Sequence, residues 1–329
     1  MTFLLEHRKR LVALVAVLML FAAACGGDDE NGGSAGSAGG AGGSLSEYDL
    51  SGAELTVGSK EFTEQLILGQ ITIQALEAAG ATVDDQTGLV GSNVVREALT
   101  SGEIDMYWEY TGTGWITHLG HADAIPDDQE QYEAVAEEDL ESNGIEWLEP
   151  AGFNNTYAIA TREEAIEELG VETLTDFSEF AGSNPDEATL CAASEFLNRN
   201  DGLPGLAEAY GFDIPEENIA EVEFGVIFPS VDKGDPCNFG EVFATDGRMA
   251  ALGLTVLEDD KNFFPGYVPA LNVNEAVVEE NPDVEQIGAD LAAALDTETM
   301  TQLNAQVDVD GGFPEQVAQE WLISEGFIE

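Results

Sequence analysis

From Glu54 onward the chain alternates short apolar runs with longer stretches of helical period, and this alternation restricts the fold more than any other feature. Residues 54–58 predict a strand, followed by a helix in which Phe62, Leu66, Ile73 and Leu76 recur at helical spacing until Gly80 stops the run. Thr82 and Val83 open a second strand, Ser92 caps a helix carrying Val94, Val95 and Leu99, and 104–107 make a third strand. Further strands are expected at 157–160, 189–192, 222–228, 249–254 and 270–273, with helices at 163–169, 174–180, 283–295, 299–306 and 314–325. Strands separated by helices build largely parallel sheets covered on both faces. Roughly 280 residues follow Asp49, enough for two lobes. Crossings near Asn154 and Pro265 predict a cleft with a hinge at its floor, and the late helices are expected to return to the first lobe.

The first 24 residues carry Arg8-Lys9-Arg10 and then an apolar run over 11–24. That run is shorter than the roughly 20 residues a stable membrane span needs, so 1–24 read as a cleaved signal peptide. Ala22-Ala23-Ala24 before Cys25 resembles the bacterial lipobox, with Ala22 where Leu is usual, and makes Cys25 the expected lipidation site. Two acyl chains there supply stable anchoring to the outer face of the cell membrane. Residues 25–49 then read as anchor and flexible Gly/Ser/Ala/acidic linker, since 26–46 offer too little apolar surface to fold, with a reach of roughly 25 Å. Gly32-Gly33-Ser34-Ala35-Gly36 matches the hydrolase elbow pattern by chance, without the strand and helix that pattern requires.

The full chain has 10 Lys and Arg against 65 Asp and Glu, a net charge of −55. Removing the signal residues leaves 7 basic and 64 acidic residues and a net charge of −57, which excludes nucleic acid and anionic lipid surfaces as partners. The acidity itself serves a solvated surface or a saline habitat. With Cys25 lipidated, Cys191 and Cys237 are expected to form a disulfide in an exported chain; the alternative, a catalytic thiol, finds no motif linking either to His118 or His121. These two histidines lack a third ligand, so they read as surface residues and no metal or cofactor is expected.

Four aromatic residues stand in or near turn-forming sequence: Tyr110 before Thr111-Gly112-Thr113, Tyr157 after Asn155-Thr156, Phe243 before Thr245-Asp246-Gly247, and Tyr267 after Pro265-Gly266. Ring faces attract a permanent cation that offers no hydrogen bond of its own. The alternative for each is ordinary core packing. These residues fall within Gly58-Ser59-Lys60-Glu61-Phe62-Thr63-Glu64-Gln65, Tyr107-Trp108-Glu109-Tyr110-Thr111-Gly112-Thr113, Asn154-Asn155-Thr156-Tyr157-Ala158, Thr245-Asp246-Gly247-Arg248 and the run from Leu257 to Pro265, or within a few residues of them. On these motifs the chain, from Leu55 to about Phe327, resembles the substrate-binding lipoproteins of ABC transporters for glycine betaine, choline and proline betaine, which have the type II periplasmic-binding-protein fold.

The resemblance implies an α/β fold of two lobes, each a mixed, mostly parallel sheet flanked by helices, with the ligand cleft between them. Lobe I would comprise 50–154 and 268–329, and lobe II 155–267. It implies that Tyr110, Tyr157, Phe243 and Tyr267 enclose a trimethylammonium head, with Phe243 standing where relatives commonly place Tyr, which changes selectivity. Lys60 and Arg199 lie where the family holds a ligand carboxylate, and Thr113 and Asn155 are candidate hydrogen-bond donors beside them. Choline would leave such cations without a partner, so glycine betaine or proline betaine ranks above it. The expected partners are the small quaternary ammonium ligand and an ABC permease driven by a cytoplasmic ATPase, with the chain itself a monomer that catalyses nothing. The rival readings are a choline-selective protein of the same fold, a sensor without transport, and a non-transport acidic surface lipoprotein, the last of which predicts no convergence of the four rings.

Overall fold

The computed structural model describes residues 43–329, so the expected signal peptide, Cys25 and most of the expected linker lie outside the described residues. Ten strands form in chain order: β1 (Glu54–Lys60), β2 (Thr82–Leu89), β3 (Met106–Tyr110), β4 (Ile145–Pro150), β5 (Tyr157–Arg162), β6 (Leu190–Ala192), β7 (Ile219–Glu221), β8 (Phe239–Phe243), β9 (Leu254–Val256) and β10 (Pro269–Asn274). They make two five-stranded sheets, ordered β2-β1-β3-β10-β4 and β7-β6-β8-β5-β9. The chain therefore crosses from the first sheet to the second after Pro150 and returns after Val256.

Each sheet is mixed in the same way. In the first, β1 runs parallel to β2 and β3, while β10 is antiparallel to β3 and β4. In the second, β6 runs parallel to β7 and β8, while β5 is antiparallel to β8 and β9. One reversed strand beside the central strand thus makes half the pairings antiparallel, where alternation alone implied parallel ones. The reversed strands are the two that follow the crossings, which have no helix in front of them to turn the chain round.

Burial follows position in the sheet. All five residues of the central strand β3 are buried, as a strand covered on both faces requires. The edge strand β2 carries Asp84 and Asp85 and has no buried residue, and β7 and β9 are only three residues long, which keeps those edges from pairing further. Helix Thr63–Ala78 is buried on several sides, between the first sheet and the late helices Asp283–Ala294, Thr297–Asp308 and Pro314–Ser324. Leu45, fully buried, joins this core through the short turn Ser44–Glu47, which hydrogen-bonds to Gly326 and Phe327. The folded body consequently begins before Leu50.

Two runs read as strands are helical. Residues 222–228 lead into helix Phe224–Lys233, which accommodates Pro229, and 249–254 divide between helix Arg248–Leu252 and β9. Apolar runs of this length do not separate strand from buried helix by periodicity. Helix Asp128–Asn143 gave no apolar signal because its buried positions are Gln131, Val135 and Asp139, spaced i, i+4, i+8 but mostly polar. Gln131 donates to Thr111 Oγ1 and the Gly266 carbonyl, and Asp139 pairs with Arg96 and accepts from Trp147 Nε1.

Candidate functional site

The reversed strands decide where the four rings go. Tyr110 is the last residue of β3 and is paired in register with Pro269, the first residue of β10, so Tyr267, two residues earlier, lies beyond the same end of the sheet. In the second sheet Tyr157, the first residue of β5, is the register partner of Phe243, the last of β8. Each sheet therefore has one ring at the end of a forward strand and one at, or two residues before, the start of the reversed strand beside it. The Tyr157 ring lies 5.0 Å from Phe243 and 5.3 Å, edge on, from Tyr267. The crossings are tied together, since Asn155 N–H donates to the Tyr267 carbonyl (3.0 Å) and Tyr267 N–H to Asn154 Oδ1 (2.9 Å).

Two further rings complete the wall. Phe62, at the N-cap of helix Thr63–Ala78, lies 5.0 Å from Phe243 and 6.2 Å from Tyr110, and Phe224 lies 4.5 Å from Phe243. By sequence Phe62 belongs to a helical run and Phe224 to an expected strand, so neither stands out as a site residue. Phe243 is thereby surrounded by rings. Together these residues line a cavity of about 760 Å³ between the lobes, and Lys60, Tyr110, Thr113, Asn155, Tyr157, Arg199, Phe243 and Tyr267 all face it.

The two cations already have partners. Lys60 Nζ is 2.6 Å from Glu109 Oε1, both groups buried, and Glu109 Oε2 also meets the Tyr107 hydroxyl and His118 Nε2 at 2.8 Å. Burial pushes the Glu109 carboxyl up, but Lys60 and His118 together outweigh it and hold the group well below the usual carboxylate range. Arg199 Nε and one terminal nitrogen grip Asp201, the other terminal nitrogen reaches Glu195 Oε1 (2.7 Å), and Thr113 Oγ1 accepts a fourth N–H at 3.2 Å. Choline would therefore strand neither charge, contrary to expectation, because both are neutralised by the protein's own carboxylates. What they offer a ligand is hydrogen-bonding capacity, two N–H bonds on Lys60 and one on Arg199 without an acceptor among the described residues.

Residues 53–324 match the family described as the substrate binding domain of ABC-type glycine betaine transport systems. The chain belongs to this family. The binding protein is 38% identical over 273 residues to a glycine-betaine-binding protein of Pseudomonas aeruginosa, covering 82% of this chain and 86% of the relative. It is 36% identical over 278 residues to the glycine betaine-binding protein YehZ of Escherichia coli, covering 83% and 91%. The solved structure of apo YehZ superposes with a TM-score of 0.61 over 83% of this chain and 99% of that one. The family is one of binding components, not enzymes.

Around the converging rings the binding protein places groups that have no mark in the sequence. Asn155 Nδ2 donates to Glu64 Oε1 (2.8 Å) rather than standing free. Burial pushes the Glu64 carboxyl up, against the pull of four hydrogen bonds. Glu195, on lobe II, accepts from the backbone N–H (3.1 Å) and hydroxyl (2.7 Å) of Ser92 at the start of helix Ser92–Ser101 on lobe I, spanning the cleft. Glu241 also faces the cavity. None has a signal in a single sequence, because an isolated Glu in so acidic a chain is unremarked until its neighbours are known. Burial raises Tyr110, Tyr157 and Tyr267 well above the ordinary phenol range, so all three stay protonated.

Cys191, in β6, and Cys237, two residues before the adjacent strand β8, are bonded with their Cα atoms 5.6 Å apart. His118 is corrected from a surface residue to a buried one, its side chain 2% exposed against Glu109, whereas His121 is partly exposed and stacks on Trp115 at 3.6 Å. No group of three or more metal-ligating side chains occurs among the described residues.

Proposed function

We propose that the protein captures glycine betaine in the cavity between its lobes, with Tyr110, Tyr157, Phe243 and Tyr267 presenting ring faces to the trimethylammonium head. The observation that carries this reading is the convergence of these four rings from two sheets at paired strand ends, an arrangement that ordinary core packing does not require and that a purely structural lipoprotein would lack. The ligand carboxylate then takes the remaining N–H bonds of Lys60 and Arg199, beside Thr113 and Asn155. The names of the two relatives above support glycine betaine over choline; charge matching alone does not, since the cavity is also lined by Glu61, Glu195, Glu221, Glu223 and Glu241. The lobes are taken as 50–154 with 268–329, and 155–267, closing on the ligand about the tied crossings. The closed monomer, tethered through lipidated Cys25, delivers the ligand to a membrane permease powered by a cytoplasmic ATPase.

Calorimetric titration of the purified chain with glycine betaine, proline betaine and choline tests this. Saturable binding of a betaine is expected. Binding of choline alone would move the assignment to a choline receptor, and binding of none would overturn it. Release of the protein from membranes by Cys25→Ala tests the anchor separately.

A further inference from the structure

Glu64 is the second residue of helix Thr63–Ala78, 2% exposed, and forms no ion pair among the described residues. Its two oxygens are saturated by four donors. Oε1 accepts from the Tyr110 hydroxyl (2.7 Å) and Asn155 Nδ2 (2.8 Å), and Oε2 from Thr245 Oγ1 (2.5 Å) and Asn304 Nδ2 (3.0 Å). Since Gln65 Nε2 donates to the Tyr110 hydroxyl (3.1 Å), that hydroxyl's own proton is left for Glu64. The donors come from widely separated places. Tyr110 carries a ring of the cage, Asn155 precedes Tyr157 by two residues, Thr245 follows Phe243 by two, and Asn304 sits on a late helix of lobe I and donates again to the Thr245 carbonyl (3.0 Å).

A buried carboxylate without a cation is costly and is a poor source of stability, though the start of a helix favours its charge. Its four bonds instead lock three segments that carry rings, two of them beyond the crossing into lobe II. The seam is close: a Cβ added at Gly247 would lie 2.6 Å from the Ala305 backbone, and Arg248 reaches Asp308 at 3.5 Å. Attraction of a cation to ring faces depends on their placement, and a site loosened by about 1 Å loses much of its affinity.

We propose that Glu64 is a positioning residue that sets the spacing of the aromatic cage by tying Tyr110 on lobe I to the segments bearing Tyr157 and Phe243 on lobe II. It acts through those segments and does not touch the ligand. This rests on the quaternary ammonium reading of the cavity.

The test is calorimetric titration of the wild type, Glu64→Ala, Tyr110→Phe and the double variant with glycine betaine and choline, well below each melting temperature. Tyr110→Phe keeps the ring and deletes only the hydroxyl. Glu64→Ala is expected to weaken both ligands by the same factor, about tenfold or more, and the double variant to be weaker than Glu64→Ala by much less than the Tyr110→Phe factor alone. A purely structural role would lower the melting temperature and leave the affinity of the folded protein within twofold, which overturns the proposal. So would independent, multiplying effects in the double variant, or a changed ratio of the two ligands, which means direct contact. If Glu64→Ala does not fold, Thr245→Val removes one donor from the opposite lobe, and a loss of about threefold or more for both ligands is expected; an unchanged affinity again overturns the proposal. If the wild type binds neither ligand, the functional reading fails instead.

Discussion

Replacing Glu241 with Gln is expected to stabilise the protein by an amount that grows with pH. Glu241 lies in β8, 2% exposed; Oε2 accepts the Ala193 N–H at 2.7 Å, and the carboxyl makes no ion pair among the described residues. Burial pushes it up from 4.5 to about 8, opposed by the Ala193 bond and reinforced by the charge of Glu195. A carboxyl whose pKa is raised on folding favours the folded state fully below its unfolded value. Stability is then lost as pH climbs from about 4.5 to about 8. At about 1.36 kcal/mol per pH unit the loss is about 1 kcal/mol at pH 5, about 3 at pH 7 and about 5 at pH 9. Gln keeps the shape and removes the titration. Thermal unfolding of the two proteins, followed by circular dichroism from pH 5 to 9 at fixed salt, isolates this term because every other titrating group is shared. At roughly 2 to 4 °C per kcal/mol, the gap should widen from a few degrees to on the order of 10 °C. A gap independent of pH, or a Gln variant less stable throughout, would refute the claim that burial keeps this carboxyl protonated.

Three further outcomes are expected. Tyr157→Ala removes the ring that touches both Phe243 and Tyr267, and at about 2 kcal/mol for a desolvated cation–π contact should weaken glycine betaine about 30-fold in calorimetry, whereas an unchanged affinity would remove Tyr157 from the cage. Converting Cys191 and Cys237 to Ala opens a link between residues 46 apart and should cost about 4 kcal/mol in chemical unfolding, with the variant no longer responding to reductant. Ser92→Ala deletes the hydroxyl that reaches Glu195 across the cleft and should weaken glycine betaine and choline alike, about tenfold, through faster release seen in stopped-flow; a change confined to one ligand would show contact with it instead.

Much of the candidate site was legible because its signals are local. Gly, Asn, Thr and Pro beside Tyr110, Tyr157 and Tyr267 mark chain reversals, and the motif around Lys60 stands at the close of a strand that alternation had already placed. Phe62 and Phe224 were missed because apolar residues in periodic runs read as core, and a ring that packs on its neighbours differs from one that walls a cavity only in what lies on its other face. The state of Lys60 and Arg199 was misjudged for another reason. Glu109 is 49 residues from Lys60, and Glu195 and Asp201, though near Arg199 in the chain, show no sign in sequence that Arg199 and Asp201 are buried together with Glu195 at their exposed side.

The order of apolar and helical runs was enough to specify an α/β chain of two lobes, and the motifs were enough to name its family, since both depend on residues within a few positions of one another. The direction of β5 and β10, the partners of the two cations and the four bonds to Glu64 were decided only by the tertiary structure. The pairings of β5 and β10, the Lys60–Glu109 pair and the bonds to Glu64 join residues 46 to 240 positions apart, and their free energy depends on desolvation that exists only once both sheets have closed around the same interior.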